Sequence, residues 1–157
     1  MGGLALHAAG YSRATQDIDV LILKEDMPKI KRLLENLGYE LIHESEDVSN
    51  FKGLLQELGQ IDFLHAHRRY TKNMLKRAQK CAILNGTFQV NVLIPEDIIG
   101  LKLQAIENDN SRKAQDIADI EWIIKKHRQS LDVKLLTEYF KLFGKSEQLK
   151  ELLNNAK

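Results

Sequence analysis

The chain has a single cysteine, Cys81, among 157 residues. An intrachain disulfide is therefore excluded, and the composition suits a reducing, cytoplasmic setting. No run of about 18 apolar residues occurs, which argues against a membrane span. The first residues lack a basic stretch followed by an apolar one, so no secretory leader is expected. Met1-Gly2 is followed by Leu6 where a myristoylation motif needs Ser or Thr, which removes that anchor as well. An excess of charge is also missing. The 23 Lys and Arg nearly balance the 22 Asp and Glu, for a net charge of +1. The whole molecule is thus no polyelectrolyte binder, and any nucleic-acid surface must be a local patch. There is no internal repeat and no low-complexity stretch.

What is present fits one domain with a real core, since 43% of the residues are hydrophobic. Gly2 to Ala9 is small and apolar and reads as a short helix. Asp17 to Leu23 reads as a strand with apolar residues on both faces, the pattern of a strand covered on both sides. Asp26 to Leu37 has helical spacing and is closed by Gly38. Tyr39 to His43, Phe51 to Leu55 and Gln60 to Ala66 read as strands, and Arg68 to Gln79 as a helix. Cys81 to Leu84 and Thr87 to Ile94 flank Asn85-Gly86, a tight-turn signal that predicts a hairpin. Pro95 suits the first turn of a helix running to Glu107. Further helices are expected over Ser111 to Lys126, Val133 to Phe143 and Ser146 to Asn154. Mixed β/α structure followed by helices alone predicts an α+β fold with a C-terminal helical region.

Asp17 and Asp19 lie two apart on a predicted strand. Side chains alternate across a strand, so both carboxylates leave the same face, roughly 7 Å apart. Two such charges at the start of an apolar strand are costly unless a cation sits between them. Hard oxygen ligands favour Mg²⁺. Asp62 lies at the start of a second strand, and if the two strands are neighbours, three carboxylates converge and can hold two metals. The structural alternative is that Asp17 caps the strand and Asp19 pairs with a lysine. Upstream, Gly2-Gly3 opens the expected helix. A glycine turn at a helix N-terminus can cradle phosphate, although it can equally be a loose chain start. Arg13 could clamp a phosphate or serve as a surface ion-pair partner.

Taken together, GGLALHAAGYSRATQDIDVLI resembles the signature of the DNA polymerase beta-like nucleotidyltransferase superfamily. There a glycine turn precedes Asp-x-Asp on a strand by about a dozen residues, and a later strand adds a third carboxylate, here Asp62. The nearest likeness is to minimal and AbiEii-type toxin nucleotidyltransferases, in which Val92 to Asp97, then Lys102, then Arg112 to Asp116 also have counterparts. The resemblance covers roughly residues 2–127. It implies a nucleotidyltransferase fold: an α/β core over residues 1–94, its first strand lacking, with a helical region over residues 95–157 packed on the same domain. It also implies transfer of NMP from an NTP, ATP among the candidates, to a hydroxyl, with Mg²⁺ or Mn²⁺ as the cofactor. Asp17, Asp19 and Asp62 would be the metal-binding and catalytic residues. Gly2, Gly3, Ser12, Arg13 and Lys102 would meet the nucleotide. Arg112 and Asp116 would support the site or the acceptor.

Lys102 has an independent claim to notice, because its helical neighbours Ile98, Ile99, Ala105 and Ile106 are apolar. It either reaches a triphosphate or snorkels to solvent. Arg112 and Asp116, four apart, could be a simple helix-surface pair worth about 0.3–0.5 kcal/mol, or Asp116 could orient Lys102. Arg68, Arg69, Lys72, Lys76, Arg77 and Lys80 form an acid-free basic run. It could follow a phosphate backbone such as an RNA acceptor, although a solvated face is the ordinary explanation. His65 and His67 lack a third ligand at zinc spacing.

Only Met1 precedes the glycine turn, where the superfamily has a helix and a strand. The expectation is a homo-oligomer that covers the open sheet edge. The acceptor is left open among tRNA, protein and a small molecule, and a toxin-like role with a cognate antitoxin is implied. The rival reading is a catalytically degenerate module that binds nucleotide or a partner without turnover.

Overall fold

A computed structural model describes residues 17–83 and 86–155. The chain divides into two compact units, Met1–Leu93 and Ile94–Lys157. In the first, Asp17–Leu23 forms β1, and a 3-10 turn over Lys24–Asp26 leads into helix α1, Met27–Asn36. Pro28 sits in the first turn of α1, and Gly38 ends the helix region with φ of 84°, a conformation that glycine adopts without strain. Then come β2 (Tyr39–Glu44), β3 (Val48–Gly53), β4 (Gln60–Ala66), helix α2 (Arg69–Arg77), β5 (Gln79–Ile83) and β6 (Phe88–Val92).

Four strands make one mixed sheet in the order β1-β4-β3-β2, with β1 and β4 parallel and the other pairs antiparallel. One face carries the core. Met27 and Leu34 of α1 pack with Phe51 of β3 and Phe63 of β4, and Val20, Ile22, Ile61, Tyr39 and Leu41 close around them. The Phe51 and Phe63 rings meet edge to face at 5.7 Å. Ser49 and His65 are buried on the same face, with Ser49 Oγ 3.0 Å from His65 Nε2 and His65 Nδ1 3.0 Å from the Glu46 carbonyl oxygen. A carbonyl can only accept, so in the neutral ring Nδ1 carries the proton and Nε2 accepts from Ser49. Helix α2 packs on β1 and β4. Leu21 and Ala66, which alternate away from the α1 core, are buried as well.

The α+β expectation holds, and most elements fall where the pattern puts them. The largest shift is in β3, expected over Phe51 to Leu55 and found over Val48–Gly53. Its first half is polar, but Ser49 is satisfied by His65 and can be buried. Leu54 and Leu55 look like strand residues yet are 69% and 65% exposed, because the chain turns at Gly53, whose N–H bonds the Gly59 carbonyl. Helix α2 stops at Arg77, and Gln79 already belongs to β5. β5 and β6 form a separate antiparallel hairpin with Ile83 opposite Phe88 and Cys81 opposite Val90. Gly86 supplies the positive φ in its turn, while Leu84 and Asn85 lie outside the described residues. So does the helix expected over Gly2 to Ala9.

The second unit is helical: α3 (Pro95–Asn108), a 3-10 turn at Asn110–Arg112, α4 (Lys113–His127), α5 (Val133–Leu142) and α6 (Ser146–Asn155). Pro95 starts α3, and Glu96 and Asp97 in its first turn suit the positive end of the helix. Both acids are buried and bonded. Glu96 accepts the Asp132 N–H at 2.6 Å, and Asp97 accepts the Tyr139 hydroxyl at 2.7 Å. The buried stripe of α4 is Asp116, Asp119, Ile120, Ile123 and Ile124. Two aspartates thus share the buried side of the helix with three isoleucines.

Gly53→Ala should destabilise the first unit, since an added Cβ would lie 2.3 Å from Leu58 Cβ and 3.0 Å from the Leu55 carbonyl oxygen. A loss of about 1–3 kcal/mol in urea denaturation is expected from such overpacking. His127 lies edge-on to Trp122 at 6.5 Å, and burial lowers its pKa below the usual 6.5 despite the attraction of Glu96. The fold therefore prefers the neutral ring. That stability is present above pH 6.5 and is lost as pH falls through the folded value. The urea midpoint of His127→Gln should vary less with pH across this window than that of the parent.

Candidate active site

The parallel pairing of β1 with β4 sets Asp17 beside Gln60 and Asp19 beside Asp62. Directly paired residues point to the same side of a sheet, and residues two apart share a face. The antiparallel pairing of β3 with β4 adds Asn50 beside Asp62 and Lys52 beside Gln60. One face thus carries two ranks of polar side chains, Asp19–Asp62–Asn50 and Asp17–Gln60–Lys52. The three carboxylates expected to converge therefore share a face, opposite the one that packs on α1.

Asp62 is held in place. Its Oδ1 accepts from Asn50 Nδ2 at 2.6 Å and from Gln60 Nε2 at 2.9 Å. Two neutral amides fix the carboxylate without cancelling its charge, and Oδ2 has no hydrogen bond among the described residues. Asp17 is exposed and Asp19 is half-buried. Oxygen-only donors of this kind match Mg²⁺ or Mn²⁺ better than zinc. Among the described residues, no three Asp, Glu, His or Cys side chains are gathered closely around one point. The backbone register supplies the shared face, and side-chain rotation is the remaining degree of freedom. Gly2, Gly3, Ser12 and Arg13, expected at the nucleotide, lie outside the described residues.

Lys102, Arg112 and Asp116 form a separate cluster within the helical unit. Lys102 does not snorkel. Its Nζ is turned inward to Asp116 Oδ1 at 2.8 Å and Asp119 Oδ2 at 2.6 Å, and both carboxylates are buried. Asp116 also takes the Arg112 Nε at 3.3 Å, so it serves both partners considered for it. Gln115 Nε2 donates to the second oxygen of Asp119 at 3.0 Å. Each carboxylate oxygen thus has a donor, the condition under which buried ions are tolerated.

Sequence reasoning missed Asn50, Gln60, Lys52 and Asp119. Gln60 was legible, since it stands two before Asp62 on a strand. Asp119 was legible as the i+3 neighbour of Asp116. Asn50 and Lys52 required the pairing of β3 with β4.

A mixed sheet with an Asp-x-Asp strand paired in parallel to a strand bearing a third aspartate is the frame of a nucleotidyltransferase. The family model for the AbiEii nucleotidyl transferase toxin of type IV toxin–antitoxin systems matches residues 1–157. The chain belongs to that family. Membership places it in the class of nucleotidyltransferase toxins of type IV toxin–antitoxin systems, a family that implies an NTP substrate and a cognate antitoxin and that generally uses a divalent metal. No curated protein matches the chain. Among the described residues, no helix is long and apolar enough to cross a membrane.

Replacing Lys102 by Ala would leave two buried carboxylates facing each other. A loss of roughly 3–5 kcal/mol in denaturant unfolding is expected. Adding Asp119→Asn to Lys102→Ala should recover part of that loss, a non-additivity that a purely packing role for the lysine would not produce.

Proposed function

We propose that this chain transfers an NMP from an NTP to an acceptor hydroxyl, with Asp17, Asp19 and Asp62 as the metal-holding set. The observation that carries the reading is the Asp19–Asp62 pairing, with Asp17 on the same face. Asp17 and Asp19 would hold the ions that the triphosphate needs, and Asp62 would hold the ion nearer the acceptor. Bound there, Mg²⁺ or Mn²⁺ would supply Lewis acidity toward the phosphates and acidify the acceptor hydroxyl. In the transfer the acceptor oxygen bonds to the α-phosphorus, the bond from that phosphorus to the bridging oxygen breaks, and pyrophosphate leaves. Asp62, its Oδ1 already occupied by two amides, offers Oδ2 to the departing proton.

The remaining assignments follow the family pattern. Gly2 and Gly3, with Ser12 or Arg13, would cradle the triphosphate. The family pattern also assigns Lys102, with Arg112 and Asp116 in support, to the nucleotide, but its ammonium is already held by Asp116 and Asp119 within the helical unit. The cytoplasm supplies NTP, and the one cysteine, Cys81, is free, which suits a reducing compartment.

The test is incubation with each labelled NTP and Mg²⁺, with and without total tRNA. Label should pass to an acceptor with the parent chain. Asp17→Asn, Asp19→Asn and Asp62→Asn should abolish transfer while circular dichroism stays unchanged. Full activity in any of the three would remove that residue from the site. Asn50→Ala should lower transfer by about 10–100-fold, the usual cost of losing a partner that orients a metal ligand.

A further inference from the structure

The acidic face does not end at β3. The antiparallel pairing of β2 with β3 sets Glu40 beside Lys52, and the register shift between Leu41 and His43 brings His43, rather than Ile42, opposite Asn50. The two polar ranks therefore cross the whole sheet, as Asp19–Asp62–Asn50–His43 and Asp17–Gln60–Lys52–Glu40. A bulge that puts a histidine where an isoleucine would stand re-aims a side chain, as bulges beside active sites do. Charge changes along the ranks. The β1 and β4 side carries Asp17, Asp19 and Asp62, and the β3 and β2 side carries Asn50, His43, Lys52 and Glu40. Lys52 is exposed and, among the described residues, has no ion pair, although Glu40 stands directly opposite. Lys31, by contrast, is tied to Glu44 of the same edge strand at 3.2 Å.

We infer that Lys52, flanked by His43, positions the acceptor by holding a phosphoester next to its reacting hydroxyl. The inference rests on the proposed transfer reaction, in which β1 serves the triphosphate and Asp62 on β4 serves the acceptor. The acceptor then extends over the next strand, β3, where Lys52 stands. Lys52 and Asp62 are diagonal neighbours across the antiparallel pair, roughly 7–8 Å apart. A hydroxyl at Asp62 and an anion at Lys52 are thus separated by about the span of one sugar. A compact ammonium meets the spread oxygens of a phosphoester as a point charge, whereas a planar carboxylate is matched by an arginine fork, which this face lacks. A neutral acceptor would leave the lysine unused, and a polycationic one would be repelled by it.

The experiment is a proton–nitrogen NMR titration in Mg²⁺ with adenosine, AMP and the dinucleoside phosphate ApA. The probes share ribose hydroxyls and differ in carrying no phosphate, a monoester or a diester. AMP, ApA or both should bind about ten-fold more tightly than adenosine, the scale of one charge-assisted contact, and should shift amides of β3 and β2. Preference for AMP assigns a free nucleotide, and preference for ApA assigns a strand end. Lys52→Gln should erase the margin over adenosine, Lys52→Arg should keep it, and Glu40→Gln should widen it. Equal binding of all the probes, or a margin that survives Lys52→Gln, would overturn the inference. In the transfer assay, Lys52→Gln should raise KM for the labelled acceptor about ten-fold and leave kcat and the KM for NTP as in the parent. An unchanged acceptor KM would overturn the inference as well. Probe binding that depends on Lys52, in a chain that passes label to no acceptor, would sink the transfer reading alone.

Discussion

Everything in the first unit depends on the register of β1 against β4. Pairing Asp19 with Asp62 puts three carboxylates on one face. A slip of one residue would turn Asp62 to the other side, against α1, and expose Phe63. The acidic face does not hold this register by itself, because like charges across a strand pair oppose it. It is held from behind. Val20, Ile22, Ile61, Phe63 and Phe51 pack with Met27 and Leu34 of α1, and a one-residue slip would turn one strand's apolar set away from that helix. The aliphatic face therefore determines where the acids stand, and the amides of Asn50 and Gln60 then fix which way Asp62 points.

The same face of the sheet serves two purposes along its length. Its first half carries the ranked polar residues, and its second half carries Leu21 and Ala66, which are buried. Helix α2 packs on β1 and β4, and Leu21 and Ala66 are the buried apolar positions of that face. Alternation within one strand thus sets the apolar core against the polar ranks on opposite sides of the sheet.

Strands β1 and β4 were plain in the sequence because long runs of Ile, Val, Leu and Phe have few other solutions, and the Asp-x-Asp spacing was visible on the first of them. The edges of β3 were not. Ser49 and Asn50 are poor strand signals until their partners His65 and Asp62 are known, while Leu54 and Leu55 mimic a strand that the turn at Gly53 ends. In the helical unit, the helical spacing of Ile120, Ile123 and Ile124 marks the buried side of α4, although Ile117 is only half-buried and the ionic half of that side was hidden. A buried aspartate is expected only where a cation meets it, and Lys102 is 14 residues from Asp116 and 17 from Asp119. Long-range pairing of polar groups is the part that local pattern does not encode.

The enclosed ammonium of Lys102 carries a consequence for any ligand that seeks it. Two carboxylates already hold it across α3 and α4. An anionic guest would have to evict one of these tenants and strand it in a dry interior. Occupancy at that amine and cohesion of the two helices are therefore antagonists, so a guest that succeeded would loosen the pair of helices that presents it.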